Sequence, residues 1–144
     1  MSPTILNRPT LQGTRHLLSL GRLPNEDLTE RHLEHFFYVG EASAPSALVG
    51  IEIHGQHALL RSLVVRADQR GRGIGSLLID HAEQHARECA VQRVFLLTIT
   101  AQDFFARHGY ESLERRAAPP AIQATREFAD ICPASSAFMA KLLD

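Results

Sequence analysis

No apolar stretch of this chain approaches the roughly 20 residues that span a bilayer, and the amino terminus has no basic segment followed by an apolar run. Neither a membrane span nor an export leader is predicted, and the expected location is the cytoplasm. Cysteine is scarce. Cys89 and Cys132 have none of the close spacing of a metal-binding pair, so they are read as reduced thiols, one in a helix and one in a loop, with no metal site. An excess of one charge sign is also missing: the formal net charge is -1, which argues against a nucleic-acid partner. What is present, 44% hydrophobic residues in 144, suffices for one core and a single domain over residues 1–144.

The most informative segment is Leu63-Val-Val-Arg-Ala-Asp-Gln-Arg-Gly-Arg-Gly-Ile-Gly-Ser76. A β-branched run feeds a turn rich in glycine and arginine, which opens onto an amphipathic helix. Glycines allow a tight turn and close approach of a ligand, while the first N–H groups of a helix have no internal partners and favour an anion. Three phosphate-cradling motifs compete here. The dinucleotide fingerprint fails because Gly71, Gly73 and Gly75 alternate and Ser76 stands where a third spaced glycine is needed. A Walker loop fails because no lysine is near the turn. The pattern Arg/Gln-x-x-Gly-x-Gly/Ala after a Leu-x-Val strand fits at Leu63, Val65, Arg70, Gly73 and Gly75. Arg66, Arg70 and Arg72 then serve one local anion rather than a nucleic acid.

Several strands are expected before this turn. Thr4–Asn7 reads as a short strand and Thr14–Leu20 as a helix ended by Gly21, followed by a loop over Leu23–Leu28. His35–Val39 reads as a strand, Gly40–Ser46 as a loose turn, and Leu48–His54 as a strand joined through Gly55-Gln56 to Ala58–Val65. From Gly75 to Ala90 the residues Leu78, Ala82 and Ala86 make one buried helical stripe. The apolar strand Arg93–Thr100 is covered on both faces, so strand, helix and strand form a right-handed parallel crossover. A short helix near Asp103, a strand Tyr110–Leu113, a helix Ala121–Phe128 and a strand Ser136–Leu142 complete the chain. The fold class is α/β of the α+β kind: an antiparallel meander, then a parallel β-α-β crossover, in a mixed central sheet flanked by helices.

The glycine-turn motif resembles that of the GNAT superfamily of acyl-CoA-dependent N-acyltransferases. Asp103-Phe-Phe-Ala-Arg-His-Gly-Tyr110 is similar to the same superfamily's next motif, Phe-Tyr-x-Lys-x-Gly-Phe. Three family usages are absent: Ala67 replaces a frequent proline, Phe105 replaces a tyrosine beside the thioester sulfur, and Thr98–Asp103 lacks the usual asparagine. Phenylalanine cannot donate a proton. The Thr98-Ile-Thr100 region and the Ala118-Pro-Pro tail are similar to the arsenic-resistance N-acetyltransferase group, and to the acetyltransferase part of N-acetylglutamate synthases.

The resemblance implies a GNAT-like sheet, with acetyl-CoA as acyl donor and a small-molecule amine as acceptor. Its pyrophosphate is expected on Arg70, Gly71, Arg72, Gly73, Ile74, Gly75 and Ser76. Its pantetheine arm is expected along Leu63, Val64 and Val65, with Phe105 near the sulfur, and the Val65 N–H is the oxyanion donor. From the residues themselves, Glu52 is the candidate base, with catalysis through water left open, because period-two alternation puts it and His54 on one strand face. Arg61 is the candidate partner for an acceptor carboxylate, since an arginine in an apolar strand is costly unless it meets an anion. Ser62, Thr98 and Arg126 are further acceptor candidates. His81 and His85 are read as a solvated helix face. The expected acceptor is an amino acid or amino-acid-like toxin, arsenic-containing or glutamate-like. The alternative is a catalytically weak CoA-binding regulatory or protein-interaction module, and a homodimer is left open.

Overall fold

In the computed structural model, which describes residues 3–131 and 136–144, seven strands form one mixed sheet in the order β1-β2-β3-β4-β5-β7-β6. β1 (Leu6–Asn7), β2 (Phe36–Glu41), β3 (Ala44–His54) and β4 (His57–Val65) are successive antiparallel neighbours. Helix α2 (Ile74–Glu88) carries the chain over to β5 (Arg93–Thr98), which lies parallel to β4. The short helix α3 (Gln102–Arg107) leads from β5 to β6 (Glu111–Leu113), and β7 (Ala137–Leu142) pairs antiparallel with both β5 and β6. The sheet is therefore the predicted meander followed by a parallel crossover. Among the described residues, no helix is long and apolar enough to cross a membrane.

Both faces of the sheet are covered. On one, Leu78, Ile79, Ala82 and Ala86 of α2 pack against Val49, Ile51, Leu60, Val94 and Leu96. On the other, Leu17 and Leu18 of α1 (Leu11–Leu20) join Phe36, Leu48 and Val64, while Phe95 stacks on Phe138 in a neighbouring cluster. Alternation along β5 explains the apolar run: Val94 and Leu96 point to one layer and Phe95 to the other.

Local chemistry accounts for most departures from the predicted boundaries. Helix α1 begins at Leu11 because the Thr10 hydroxyl accepts from the Gly13 N–H at 3.0 Å. β2 and β3 close around Ala42-Ser43, so the loose turn expected over Gly40–Ser46 is a tight hairpin. The helix expected over Ala121–Phe128 is broken into α4 (Pro120–Gln123) and a π-helical turn, Glu127–Ile131. Between them the Thr125 hydroxyl donates to the Ile122 carbonyl at 2.8 Å and accepts from the Phe128 N–H, competing with the helical ladder. His81 and His85 are half-buried rather than solvated: both rings pack edge-on against Phe37, and His85 Nε2 lies 2.9 Å from His35 Nδ1. Cys89 is a free, half-buried thiol, whereas Cys132 lies outside the described residues.

Gly50 on β3 faces the ring of Phe36, which is fully buried, and a Cβ there would overlap that ring. Gly50→Ala should therefore destabilise the protein by about 1–3 kcal/mol, the usual cost of overpacking a core. In chemical denaturation, Gly50→Ala combined with Phe36→Leu should cost less than the sum of the two single changes. Additive losses would show that the two positions do not compete for space.

Candidate active site

The parallel pairing of β4 with β5 covers only His57↔Arg93, Ala58↔Val94 and Leu59↔Phe95. Beyond it the strands part. Between Gly50↔Arg61 and Leu48↔Val64, two β4 residues, Ser62 and Leu63, stand opposite the single β3 residue Val49, so β4 carries a bulge there. Ser62 adopts φ 62°, a left-handed conformation uncommon for a residue with a side chain. The bulge bends β4 toward β3 and opens a cleft of about 860 Å³ lined by Leu60–Val65 on one side and Leu96–Thr98 on the other. The Arg66 N–H bonds to Ser46 on β3 at 2.8 Å; by strand alternation the Val65 N–H faces the opposite, open edge.

At the mouth of this cleft, Gly71 and Gly73 both take positive φ, 83° and 74°, and each has open space where a Cβ would stand. Gly73 caps α2 with no side-chain hydrogen bond. The N–H groups of Ile74, Gly75 and Ser76, the first of α2, thus have no intrahelical acceptor. Gln69, Arg70, Gly71, Gly73, Ile74, Gly75 and Ser76 all line the cleft. Arg70 is anchored by its Nε–H on the Val65 carbonyl at 3.1 Å, which leaves the rest of an exposed guanidinium for an anion. Arg72 is exposed and outside the cleft lining. Arg66 pairs with Asp68. The arrangement suits an elongated ligand with an anionic group at the helix end and a hydrogen-bonding arm between the strands.

The closed end corrects two expectations. Arg61 borders the cleft, but it is 3% exposed and its guanidinium is already engaged by three carboxylates. Its Nη2 donates to Asp27 at 2.8 Å and its Nη1 to both Asp27 and, at 2.8 Å, Glu52; its Nε is 3.0 Å from Ser62 Oγ and from a Glu127 oxygen. A guanidinium so engaged cannot serve as the acceptor-carboxylate site. Glu52 shares the predicted face with His54, 3.3 Å away, but it is not part of the cleft lining, and its carboxylate is a counter-ion to Arg61. Burial works to raise the Glu52 pKa, yet hydrogen bonds from His54 and Arg61 overcome it and hold the group below its ordinary value, which makes it a poorer base. Burial likewise opposes ionisation of Asp27, and Arg61 prevails. Burial alone would lower the Arg61 pKa; Asp27 and Glu127 drive it above its normal value.

The remaining candidates divide. Ser62, Thr98 and Phe105 line the cleft. Ser62 accepts from Arg61, and the Thr98 hydroxyl accepts from the Ala101 N–H at 3.1 Å, so both hydroxyls brace the walls. Phe105 is buried against Tyr110 and supplies apolar wall. Arg126 is exposed and does not line the cleft; the break after α4 turns the adjacent Glu127 inward instead. Polar lining residues that the sequence reading did not put forward as site residues include Arg22, Gln69, Glu127 and Ser136. Arg22 had one signal, its place after the Gly21 break, where it takes φ 58°.

Residues 8–113 match the model of the acetyltransferase (GNAT) family. An uncharacterised N-acetyltransferase of Chlorobaculum tepidum is 35% identical over 94 residues, 63% of this chain and 59% of that protein. An amino-acid acetyltransferase of Mycobacterium tuberculosis is 42% identical over 55 residues, 38% of this chain. The matched stretches thus span 59% and 31% of those two relatives' own lengths. Among solved structures, a Mycobacterium tuberculosis protein, Rv2747, crystallised with CoA, superposes with TM-score 0.77 at 19% identity, covering 99% of this chain and all of that one. The N-acetylglutamate synthase of Neisseria gonorrhoeae, complexed with CoA and N-acetyl-glutamate, superposes with TM-score 0.81 at 16% identity, covering all of this chain and 36% of that one. At these identities the likeness is one of fold.

Replacing Arg61 by methionine removes the one guanidinium from among three carboxylates and should destabilise the protein by about 3–5 kcal/mol, the cost of leaving buried charge uncompensated. The pH dependence should also change sign. Asp27 and Glu52 ionise below their unfolded values of about 4, so in the wild type their contribution is complete above those values and is lost as pH falls through the folded pKa values. In Arg61→Met the same carboxylates ionise with difficulty, so stability should rise on acidification toward about pH 4. Urea midpoints across pH 3.5–7 check this; parallel profiles for the two proteins would refute it.

Proposed function

This chain belongs to the acetyltransferase (GNAT) family, and from that premise we propose that it moves an acetyl group from acetyl-CoA to the amine of a small, carboxylate-bearing acceptor. The observation that carries the reading is the cleft between parted strands, which ends on an uncapped helix N-terminus beside Arg70. The pyrophosphate is held by the N–H groups of Gly71 to Ser76, with Arg70 as counter-charge and Arg72 at the rim. The two glycines keep the space for it. The pantetheine arm lies along Leu63, Val64 and Val65, whose outward backbone groups the bulge has released from β5. The Val65 N–H then meets the thioester oxygen and stabilises the charge that develops there.

The acceptor nitrogen attacks the thioester carbonyl, the C–N bond forms, and the C–S bond breaks with its electron pair on sulfur. An α-amine with a pKa of about 8 is partly neutral near pH 7.5, so solvent suffices as proton sink and Glu52 is not required for this step. Orientation in the cleft supplies much of the rate. Phe105 gives the sulfur an apolar wall and no proton.

An amino-acid-like acceptor is supported by the Mycobacterium tuberculosis relative, named an amino-acid acetyltransferase, and by the glutamate-derived ligand of the Neisseria gonorrhoeae enzyme. Arg22, exposed at the cleft rim, takes the carboxylate in place of Arg61. Glutamate-like and arsenic-containing amino-acid analogues enter the panel on the resemblance noted above. The cytoplasm remains the expected location.

The experiment is release of free CoA from acetyl-CoA with a panel of amino acids and their analogues. Acetyl-CoA binding without release for any amine would make the protein a CoA-binding module instead. Two substitutions separate the parts of the reading. Gly73→Val should weaken acetyl-CoA binding at least tenfold by calorimetry, since its Cβ enters the anion's space and strains the turn by about 1–2 kcal/mol; unchanged affinity in a folded variant would remove the loop from the site. Arg22→Ala should raise the acceptor KM roughly tenfold, as expected for one hydrogen-bonded charge contact, and leave acetyl-CoA binding intact. Equal losses for an acceptor with and without its carboxylate would dismiss Arg22.

A further inference from the structure

Ser136 is 6% exposed and lines the cleft, yet among the described residues its Oγ has no hydrogen-bond partner. A buried hydroxyl without a partner is costly, which makes it a mark of a missing ligand group. Ala137 opposes Thr98 in the β5–β7 ladder, so Ser136 stands just beyond the last rung, beside the strand that forms one wall of the cleft. Glu127, 5% exposed, lines the same cleft from the π-helical turn, a helical variant that often occurs at functional sites.

The charge at this end is negative. Arg61 is a single cation among Asp27, Glu52 and Glu127, so the cluster keeps a formal charge of two negatives. Arg61 contacts all three carboxylates and bridges the interior pair to Glu127 at the cleft wall. A cationic group entering beside Glu127 would lower the field of this cluster, and the free hydroxyl oxygen of Ser136 can accept one of its N–H bonds.

We propose that Ser136 and Glu127 form the subsite that docks the acceptor's amine as an ammonium ion, before it passes one proton to solvent and attacks the thioester as the free amine. This rests on the acetyl-transfer reading and adds to it the protonation state in which the acceptor is recognised, the cation. The acceptor KM, counted as total amine, is then flat below the amine's own pKa and rises above it, because the free base is no longer recognised; kcat does not follow the same curve. The titratable and charged groups of the cluster that contains Glu127 are Arg61 on β4, Asp27 in the loop between α1 and β2, Glu52 with His54 on β3, and His32 close to Asp27 and Glu52.

The test uses the whole protein with two substitutions. Ser136→Ala should raise the acceptor KM roughly tenfold, the usual effect of removing one hydrogen bond to a charged group, with the acetyl-CoA KM unchanged and Ser136→Thr restoring much of the loss. Glu127→Gln should flatten the rise of KM with pH. In parallel, saturation-transfer NMR on the CoA-bound protein compares butylammonium with 1-butanol; only the cation should show transfer, and Ser136→Ala should lose it. CoA release with acceptor KM within twofold of wild type in Ser136→Ala would overturn the subsite, as would equal transfer from the alcohol. No CoA release from any amine, with butylammonium still bound through Ser136, would instead overturn the acetyl-transfer reading and leave the subsite standing. Should Glu127→Gln fail to fold, Ser136→Ala and the alcohol comparison decide.

Discussion

The architecture of the cleft depends on one buried guanidinium. Arg61 ties β4 to the loop after α1 through Asp27, to β3 through Glu52, and to the π-helical turn through Glu127. Asp27 and Glu127 are remote from Arg61 in sequence, whereas β3 is also joined to β4 along their shared hairpin. Because a buried ion cluster gains little net stability over an apolar one, its value lies in geometry: the donors of arginine are rigidly arranged, and each carboxylate must come to its own position. Arg61 stands immediately before the bulge residue Ser62, so the cluster also holds the point where β4 leaves β5.

That departure is what makes a binding site out of a sheet. A parallel pair that continued in the same register would have reached Ser62 at Thr98 and consumed the backbone groups of Leu63 to Val65 just beyond. The bulge frees them, and β3 retains the other edge of β4 through Ala47↔Val65 and Leu48↔Val64. On the far wall β5 is held along its length by β7. The cleft is therefore bounded by strands that are each fixed on their outer side and open on the inner one, which favours a preformed site over one built by closure. The helix end completes it: the same turn that reverses the chain after β4 delivers unpaired N–H groups and Arg70 to one end of the opening.

The two ends of the cleft differ in electrostatic character, and the difference has a structural origin. At the glycine turn the charges are backbone dipoles and an exposed arginine, available to a mobile anion. At the closed end the arginine is inside and the surplus carboxylates set the sign. A donor with an anionic tail and an acceptor with a cationic head would be sorted by the protein into opposite ends, with the reacting groups meeting between β4 and β5.

The glycine turn was legible because its function depends on spacing within one short segment: Gly71, Gly73 and Gly75, the β-branched run before them and the stripe Leu78, Ala82 and Ala86 after them are all local patterns. The meander was legible for the same reason, through Gly55-Gln56 and the alternation of β3 and β4. Roles of single polar residues were not. The alternation that placed Glu52 and His54 on one face was right, but it could not reveal that Arg61 stands across from them, and Arg61 itself read as a waiting ligand because Asp27 is remote in sequence. Arg126 and Glu127 differ by one position, and only the break at Thr125 decides which of them turns inward. The sequence by itself thus determined the fold class, the glycine turn ahead of its helix and the family, since local backbone preference and periodicity are written residue by residue. Tertiary structure alone decided which charges are already neutralised and which polar atoms remain for a ligand, because electrostatic pairing depends on distances between segments that the chain order does not encode.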